Sequence, residues 1–495
     1  MVILLLQQTE AHNNCLPWVS SQDRDRPQHS WRIRLRKDGS SSRRVLVEAI
    51  AHALFAADPR AILRNKVKVK RDELEIGTLS FKLSEFRRVL VIGGGKATAG
   101  MALEIEKILD GWITGGSVNI PGYTKPWPKS KKINFNAASH PVPGEDGVRG
   151  VKNMLRLVGH PSEDDLVICL ISGGGSALMP LPSPGLLLSD KQKTTNLLLK
   201  SGAKIDEINA VRKHLSDFKG GRLAEKLYPA TVLSLIISDV VGDKLQSIAS
   251  GPTVPDDTTY AGAYTILEEH GLWRKVPSSI RKHIQKGKEG KLPETPKRSS
   301  RIFKRVHNVL VGTNKESCQA AAEVVENRGY HSMILSTRLH GESREVGKTL
   351  AGICIGIREY QLPVAPPAAL IAGGETTVTV HGKGRGGRNQ ELVLSAALSI
   401  RGKPTILVSS IGTDGVDGPT DSAGAVADGN TFERSLRIHM DPDSYLRENN
   451  SYLFFERLKD LVITGPTGTN VNDIFIGLVG PGSQKNGTAR RSRGR

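Results

Sequence analysis

The chain has 495 residues, of which 38% are hydrophobic and 24% are charged, so it can bury sizeable apolar cores. This balance is typical of a globular protein and excludes fibrous and wholly disordered classes. No apolar run approaches the roughly 18 residues that a membrane-spanning helix needs. The four cysteines form no Cys-x-x-Cys pair, and Cys169 lies inside the apolar run LVICLI, where a buried free thiol is expected. We therefore expect a soluble protein of a reducing compartment, without a disulfide framework or zinc site.

The net charge of +19 raises the question of nucleic-acid binding. The excess lies in residues 1–44 (+4), 271–308 (+10) and 481–495 (+5), and the remainder of the chain is neutral. Few aromatic side chains are interleaved with these charges, so base stacking is not indicated. Solvated charge runs are the better interpretation, and we expect neither a nucleic-acid nor a membrane partner.

The amino-terminal segment bears on location. Residues 24–44 are rich in Arg and Ser, as in a mitochondrial transit peptide, but Asp23, Asp25 and Asp38 count against that interpretation. We expect a cytoplasmic protein and leave the mitochondrion as the alternative.

Apolar runs alternate with amphipathic segments along the chain. Residues 44–58 have the apolar spacing of an amphipathic helix. Buried strands that end in glycine-rich or polar turns are predicted within residues 87–109, 165–180, 231–243, 309–329, 368–380 and 405–415. This alternation predicts an α/β fold of mostly parallel sheets flanked by helices on both faces.

Composition also predicts the domain boundaries. Residues 286–305 are hydrophilic and rich in Lys and Pro, which favours a basic linker. The linker would separate a large Rossmann-like α/β domain at 44–285 from a second α/β domain at 306–480. The polar tails at 1–43 and 481–495 are predicted to be disordered.

The first motif, Gly93-Gly94-Gly95-Lys96, stands where a strand is predicted to meet a helix. Glycine allows close backbone approach, the helix start offers free N–H groups to an anion, and Lys96 adds a full charge. The dinucleotide fingerprint G-x-G-x-x-G is met only in part, because Thr98 occupies its last glycine position. A plain tight turn remains the alternative, while Gly94, Gly95 and Lys96 are candidate site residues.

A second loop follows the apolar run LVICLI. Its three glycines between two hydroxyls suit a phosphate or carboxylate cradle, and its candidate residues are Ser172, Gly173, Gly174, Gly175 and Ser176. The nucleophile elbow G-x-S-x-G fails because Leu178 takes the last position, so a serine hydrolase is not indicated. A P-loop is absent from the sequence altogether.

Two further segments offer polar side chains. Asn209 and Arg212 fall within one helical turn, and Arg212 could bind a carboxylate or phosphate bidentately, although a solvated helix face explains the pattern equally well. Asp239 comes just beyond a buried strand, where open α/β sheets bind ligands. It could hold Mg²⁺ or accept a proton from a substrate hydroxyl, or only cap the next turn.

The densest motif lies in the second predicted domain. Glu375 follows a glycine pair, and Arg388 and Asn389 close a glycine-rich run that leads into a helix. Flexible backbone donors beside cations suit a phosphate, so these three residues are candidates for binding. Asp414, in the run GTDGVDGPTD, suggests a cation or polyol hydroxyls, with a ligand-free Asp-Gly turn as the alternative.

Together these segments resemble the glycerate kinases of the MOFRL type. The resemblance covers residues 44–480 and rests on VIGGGKA, SHPVPGEDG, LISGGGSALMPLP, INAVRKHLSDFKGGRLA, LIISDVVGDKLQSIASGPT, AGGETTVTVHGKGRGGRNQELVL, GTDGVDGPTDSAGA and TGPTGTNVNDI. It implies phosphorylation of D-glycerate by ATP with Mg²⁺ to give 2-phosphoglycerate. It further implies two α/β domains with the active site in the cleft between them, and places Lys96 and Arg388 against the transferring phosphoryl group.

The residues themselves leave several roles open. Our hypothesis gives the catalytic work to Lys96, Arg388 and Asp239, lets Asp239 or Asp414 hold Mg²⁺, and assigns Arg212 to the glycerate carboxylate. An NAD(P)H-dependent hydroxypyruvate reductase is the alternative enzyme. A non-catalytic protein that binds a phosphate ligand or nucleic acid is the alternative from another class. A homodimer is compatible with all three.

Overall fold

The structure is a computed structural model that describes residues 2–4, 33–36 and 40–481. The described strands are β1 (Val2–Leu4), β2 (Ile33–Leu35), β3 (Val67–Lys70), β4 (Glu73–Ile76), β5 (Leu79–Lys82), β6 (Arg88–Gly94), β7 (Gly115–Pro121), β8 (Ile133–Ala138), β9 (Asp165–Ile171), β10 (Thr231–Ile237), β11 (Val306–Gly312), β12 (His331–Leu339), β13 (Ala368–Gly374), β14 (Ile406–Gly412), β15 (Gly424–Asp428), β16 (Leu461–Val462) and β17 (Asp473–Val479). The helices are α1 (Ser41–Ala56), α2 (Pro59–Lys66), α3 (Thr98–Ile108), α4 (Glu145–Val158), α5 (Gly175–Leu178), α6 (Leu188–Lys200), α7 (Ile205–His214), α8 (Arg222–Leu227), α9 (Tyr260–Glu269), α10 (Ser278–Lys288), α11 (Asn314–Glu326), α12 (Ser343–Tyr360), α13 (Arg388–Ser399), α14 (Thr431–Arg437), α15 (Pro442–Arg447) and α16 (Ser451–Leu458). Short 3-10 turns occupy Leu83–Glu85, Ile248–Ser250 and Arg301–Arg305.

The chain divides into two compact units, and each is discontinuous in sequence. The Rossmann unit consists of Leu54–Ser317 and Thr467–Asn472. The mixed-sheet unit consists of the described parts of Met1–Ala53, Cys318–Pro466 and Asp473–Arg495. The late segment belongs to the Rossmann unit because Val471 lies in its apolar core and the Val471 carbonyl accepts a 2.8 Å hydrogen bond from Asn314 Nδ2.

Six parallel strands form the sheet of the Rossmann unit, in the order β8-β7-β6-β9-β10-β11. Numbered along the chain from β6, this is the order 3-2-1-4-5-6 of dinucleotide-binding folds, whose ligands bind where the strand order reverses. The reversal lies between β6 and β9. The predicted Rossmann-like domain is therefore confirmed, and its crevice lies at the carboxyl ends of those two strands.

Both faces of this sheet are buried, which explains why its strands are continuously apolar. Successive side chains of a strand point to opposite faces. Val89 and Val91 of β6 accordingly pack in one core with α3, whereas Leu90 and Ile92 pack in another with α4. Cys169 of β9 lies in the second core as a free thiol, and burial raises its pKa to about 12, as expected of an inert structural cysteine.

A small antiparallel sheet, β3-β4-β5, also belongs to the Rossmann unit and was not predicted. Its strands are only four residues long and join through tight turns, in which Arg71 and Gly77 have φ near +60°. Val67, Leu74 and Ile76 anchor the sheet in the apolar core. The alternating VKVK and ELEI segments carry the period of two that marks such strands.

The mixed-sheet unit has the strand order β12-β13-β17-β14-β15-β16, flanked by helices. Only β12 and β13 run parallel among these neighbours, whereas the other four pairs are antiparallel. The α/β class is confirmed, but the expectation of a mostly parallel sheet is wrong for this unit. Helices bury the sheet, so its strands are apolar whatever their direction, and the apolar pattern could not reveal their antiparallel pairing.

The structure divides the chain elsewhere than the composition suggested. Strand β11 pairs with β10 in the Rossmann unit, so the second domain does not begin at residue 306. Residues 286–305 are part of the Rossmann unit and not a linker. They carry Glu294, which contacts buried His214 at 3.1 Å, and Thr295, which donates to buried Asp256 at 3.0 Å.

The predicted disordered tails are only partly described. Residues 33–35 form β2, which pairs with β1, and Ser41 already belongs to α1. Residues 1, 5–32 and 37–39 of the tail at 1–43, and residues 482–495, lie outside the described residues. Within the described ranges, every helix is too short or too polar to cross a membrane.

Candidate functional site

Two glycine-rich loops meet where the strand order of the Rossmann unit reverses. The loop after β6 donates a 2.8 Å hydrogen bond from Lys96 N to Gly173 O in the loop after β9. Ala97 N donates to Ser172 Oγ at 3.0 Å. The two sequence motifs, far apart in the chain, are therefore tied together in the crevice.

Glycine is required at this crossing because neighbouring atoms occupy the space of a side chain. At Gly95, φ is 158° and a Cβ atom would lie 2.0 Å from Ser172 Oγ. At Gly173, a Cβ atom would lie 2.1 Å from Asp239 Oδ2. The Asp239 carboxylate, just beyond β10, therefore lies directly over the Gly173 backbone. Predicted residues of three motifs, the loop after β6, the loop after β9 and the segment after β10, are thus in contact.

Lys96 extends past the same loop and is accompanied by a histidine. A Cβ atom on Gly174, whose φ is 80°, would lie 3.2 Å from Lys96 Cγ and 3.0 Å from His140 Nε2. The His140 ring meets the exposed Tyr123 edge-on at a centroid distance of 6.4 Å. His140 was not predicted as a site residue, although it lies in the quoted segment SHPVPGEDG.

Hydroxyl and amide groups continue the site on the other side of the loop. Ser176 Oγ and Ser250 Oγ lie 2.7 Å apart, and Ser250 Oγ donates to Asn209 Oδ1 at 3.1 Å. Ala249 and Ser250 have φ of 51° and 61°, a left-handed conformation that is strained for residues other than glycine. Strain of this kind concentrates at functional sites, and here it places Ser250 between Ser176 and Asn209.

Three cations lie beside these groups. Lys219 Nζ donates to Ser176 O at 2.8 Å, and Lys191 Nζ donates to Leu181 O at 3.2 Å. Burial, then the charges of Arg212 and Lys191, hold the pKa of Lys219 well below its usual value. Burial and Arg212 lower the pKa of Lys191 to about 7, and burial also lowers the pKa of Arg212. Sequence reasoning selected Arg212 but missed both lysines.

The candidate residues of the mixed-sheet unit form a separate cluster around Arg388. Its guanidinium holds Asp473 through two hydrogen bonds of 2.5 and 2.9 Å and Glu375 through a 2.9 Å ion pair. Burial alone would lower the pKa of Arg388, but these two carboxylates hold it above its usual value. The structure thus brings the two candidates Arg388 and Glu375 together, and Asp473 is an addition that the sequence analysis missed.

Asp417 fixes the start of α13 in the same cluster. Its carboxylate accepts hydrogen bonds from Asn389 N at 3.0 Å and Gln390 N at 2.8 Å. Burial, with a smaller contribution from Asp473, raises the pKa of Asp417 to about 7 despite those hydrogen bonds. The Asn389 side chain is buried and accepts from Ser410 Oγ at 2.5 Å, so its polar groups serve the local structure.

Asp414, the other candidate for Mg²⁺, lies near this cluster. It accepts a 3.1 Å hydrogen bond from Val416 N and helps to raise the pKa of Asp473, after the larger effect of burial. Within residues 40–481, no three His, Cys, Asp or Glu side chains form a group that could hold a metal ion. A single carboxylate suits Mg²⁺ that remains bound to water and nucleotide phosphates.

The chain is similar to known proteins over most of its length. Two family models match it, a domain of unknown function (DUF4147) at residues 45–285 and the MOFRL family at residues 368–473. A glycerate 2-kinase of Pyrococcus horikoshii is 44% identical over 438 residues, which cover 88% of this chain and 97% of that protein. A D-glycerate 2-kinase of Thermotoga maritima is 40% identical over 443 residues, covering 89% and 99%. The crystal structure of a glycerate kinase from Thermotoga maritima has a TM-score of 0.79 at 40% identity and covers 89% of this chain and 99% of its own.

Proposed function

The chain belongs to the glycerate kinase family, a family of phosphotransferases that act on an alcohol group, and we propose that it phosphorylates D-glycerate with ATP to give 2-phosphoglycerate. The observation that carries this proposal is the crossing of two glycine-rich loops at the reversal of the Rossmann sheet. That crossing brings together the glycine-rich backbone of both loops, the Lys96 side chain and the Asp239 carboxylate. These are the parts that phosphoryl transfer needs, since the protein mainly positions the groups and neutralises charge.

In the proposed reaction, the 2-hydroxyl oxygen of glycerate attacks the γ-phosphorus of ATP and the bond to the β-phosphate oxygen breaks. Lys96 neutralises charge on the transferring phosphoryl oxygens, and the Ser172–Ser176 loop with Gly94 and Gly95 lines the anion site. Asp239 accepts the hydroxyl proton, and ADP leaves with the electron pair of the broken bond. Mg²⁺ supplied with ATP would screen the β- and γ-phosphate charges, and Asp239 or Asp414 is the carboxylate proposed to hold it.

Arg388 is proposed as a second phosphate-contacting cation, with Glu375 and Asp414 at the nucleotide, while buried Asn389 is proposed to support them from within the protein through Ser410 and Asp417. The pairing of Arg388 with Asp473 and Glu375 fixes the guanidinium in one orientation, which suits a preorganised donor. Asn209 and Arg212 are proposed to bind the acid substrate. Arg212 is assigned to its carboxylate because a guanidinium matches that group bidentately.

The experiment is a coupled assay with D-glycerate and MgATP, in which ADP release is followed spectrophotometrically. Enolase added without a phosphoglycerate mutase identifies the product, because enolase dehydrates 2-phosphoglycerate and leaves 3-phosphoglycerate unchanged. Rapid ADP release without enolase-reactive product would overturn the assignment of the hydroxyl. Oxidation of NAD(P)H by hydroxypyruvate at enzyme-like rates, with no kinase activity, would favour the alternative reductase.

We further propose that the reaction takes place in the cytoplasm, because the acidic residues among 23–38 weaken the resemblance to a transit peptide. A fluorescent protein carrying residues 1–44 at its amino terminus should stay in the cytoplasm of a eukaryotic cell. Its import into mitochondria would overturn this location.

A further inference from the structure

Of the three cations beside Ser176, only Arg212 has a role in the reaction proposed above. Lys219 is 2% exposed and Lys191 is 7% exposed, and Arg212 is half-buried. Lys191 lies on α6, Arg212 on α7 and Lys219 just before α8, and the charges of Arg212 and Lys191 both act on Lys219. A fully buried ammonium is costly unless a counter-ion or strong acceptors accompany it.

Among the described residues, none supplies this cluster with a counter-ion in direct contact. Within the chain that the structure describes, no carboxylate lies within 4 Å of Lys191, Arg212 or Lys219. Asp217 acts on Lys191 only at longer range and is itself paired with Lys226 at 2.9 Å. The two ammonium groups are held by backbone carbonyls of Ser176 and of Pro180 and Leu181.

A buried lysine on the same helix as Arg212 shows the contrast. Lys213 is 5% exposed, and its Nζ lies 3.2 Å from Asp256 Oδ1, so its charge is compensated inside the protein. The unpaired cluster is therefore not a general property of this helix. The unpaired cluster lies beside Asn209, Ser176 and Ser250, whose polar groups are linked to one another by hydrogen bonds.

We propose that Lys191 and Lys219 complete, with Arg212, a preformed site for the carboxylate of the substrate, and that they make the enzyme specific for a small hydroxy acid over its uncharged analogues. This inference rests on the proposed function. Three cations and neighbouring hydroxyls match a carboxylate that bears a hydroxyl on the adjacent carbon. The ligand supplies the negative charge that the folded protein lacks here, and the polar triad of Ser176, Ser250 and Asn209 is available to the hydroxyl groups.

The first test is kinetic. Lys219→Met and Lys191→Met should each raise KM for D-glycerate about 10-fold or more, with KM for ATP and kcat changed less than about twofold, because a binding charge acts equally before and during the reaction. An increase confined to KM for ATP would overturn the proposal and place a phosphate in this cluster.

The second test measures stability without turnover. D-glycerate alone should raise the melting temperature of the wild-type protein, whereas neutral D-glyceramide should not. The shift should be lost in both lysine variants and kept in Lys213→Met. Without ligand, the two variants should melt at or above the wild-type temperature because an unpaired buried charge has been removed, whereas Lys213→Met should melt lower because Asp256 loses its partner.

The outcomes separate this inference from the proposed function. If all three variants melt at a lower temperature than the wild type and D-glycerate still raises their melting temperatures, the lysines are structural. A glycerate shift that depends on Lys191 and Lys219, in a protein that does not phosphorylate glycerate, would keep the acid site and overturn the kinase. Should Lys219→Met fail to fold, Lys219→Gln and Lys191→Met carry the same comparison.

Discussion

Adding one methyl group at Gly173 should disable the site without unfolding the protein. The new Cβ would lie 2.1 Å from Asp239 Oδ2 and 2.4 Å from Asp239 Cγ, whereas ordinary contacts begin near 3.4 Å. The carboxylate must therefore retreat by more than 1 Å. A displacement of about 1 Å at a reacting group costs roughly 10²-fold in rate. We expect kcat of Gly173→Ala to fall by about that factor in the coupled glycerate kinase assay.

The control is Gly122→Ala at the carboxyl end of β7, where the nearest atom to a new Cβ is 3.8 Å away. It should keep near-normal turnover. If Gly173→Ala acts through Asp239, the double variant Gly173→Ala/Asp239→Ala should be no slower than Asp239→Ala alone, since effects within one unit are not additive. Normal turnover in a folded Gly173→Ala protein, or a full further loss in the double variant, would refute the reasoning.

Further predictions concern a charge, a titration and a segment of the fold. Lys96→Ala should lower kcat by about 10² or more through loss of a preorganised cation; near-normal steady-state turnover would remove Lys96 from the mechanism. Because burial and then Arg212 lower the pKa of Lys191 to about 7, the folded state releases this proton before the unfolded chain does. The free energy of unfolding should thus rise between about pH 7 and 10, by up to about 1.4 kcal/mol per pH unit. This gain is lost progressively as the pH falls from about 10 to the folded-state pKa of about 7. In urea titrations at pH 7 and 9, Lys191→Met should show a smaller rise than wild type, and equal rises would contradict the assignment. Gly287→Ala should destabilise the protein by about 1–3 kcal/mol in the same titration, because its Cβ would lie 2.2 Å from the buried Tyr260 ring; an unchanged midpoint would mean that this region is loosely packed.

The sequence was most informative where chemistry depends on strand ends. Lys96, Ser172 and Asp239 each follow an apolar run, and a parallel sheet brings such ends to one edge. Their meeting could therefore be predicted. It is confirmed at Gly95 and Gly173, where atoms of Ser172 and Asp239 occupy the space that a Cβ atom would need. The direction of strands in the other sheet had no such signal, because helices bury β13, β14 and β17 whether they run parallel or antiparallel.

The missed residues share a different cause. Lys191 and Lys219 stand in polar segments, where a lysine ordinarily faces water, and only tertiary packing buries them. Asp473 follows the motif TGPTGTNVN closely, yet its pairing with Arg388 joins residues 85 positions apart. The composition of the hydrophilic segment at 286–305 predicts a linker because it gives no indication that Glu294 and Thr295 bind buried groups.

The discontinuous make-up of both units affects how the chain can be synthesised and divided. As translation proceeds from the amino terminus, the Rossmann unit lacks part of its core until Val471 has been made, because that residue packs among side chains that precede it by more than 150 positions. Helix α1, made early, contributes Glu48, which pairs with Arg328 of the mixed-sheet unit. Dividing the gene at a single point therefore gives no fragment that contains either unit complete. A fragment ending before residue 467 would expose the apolar surface that Val471 covers, and independent expression of either unit requires a rearranged order of segments.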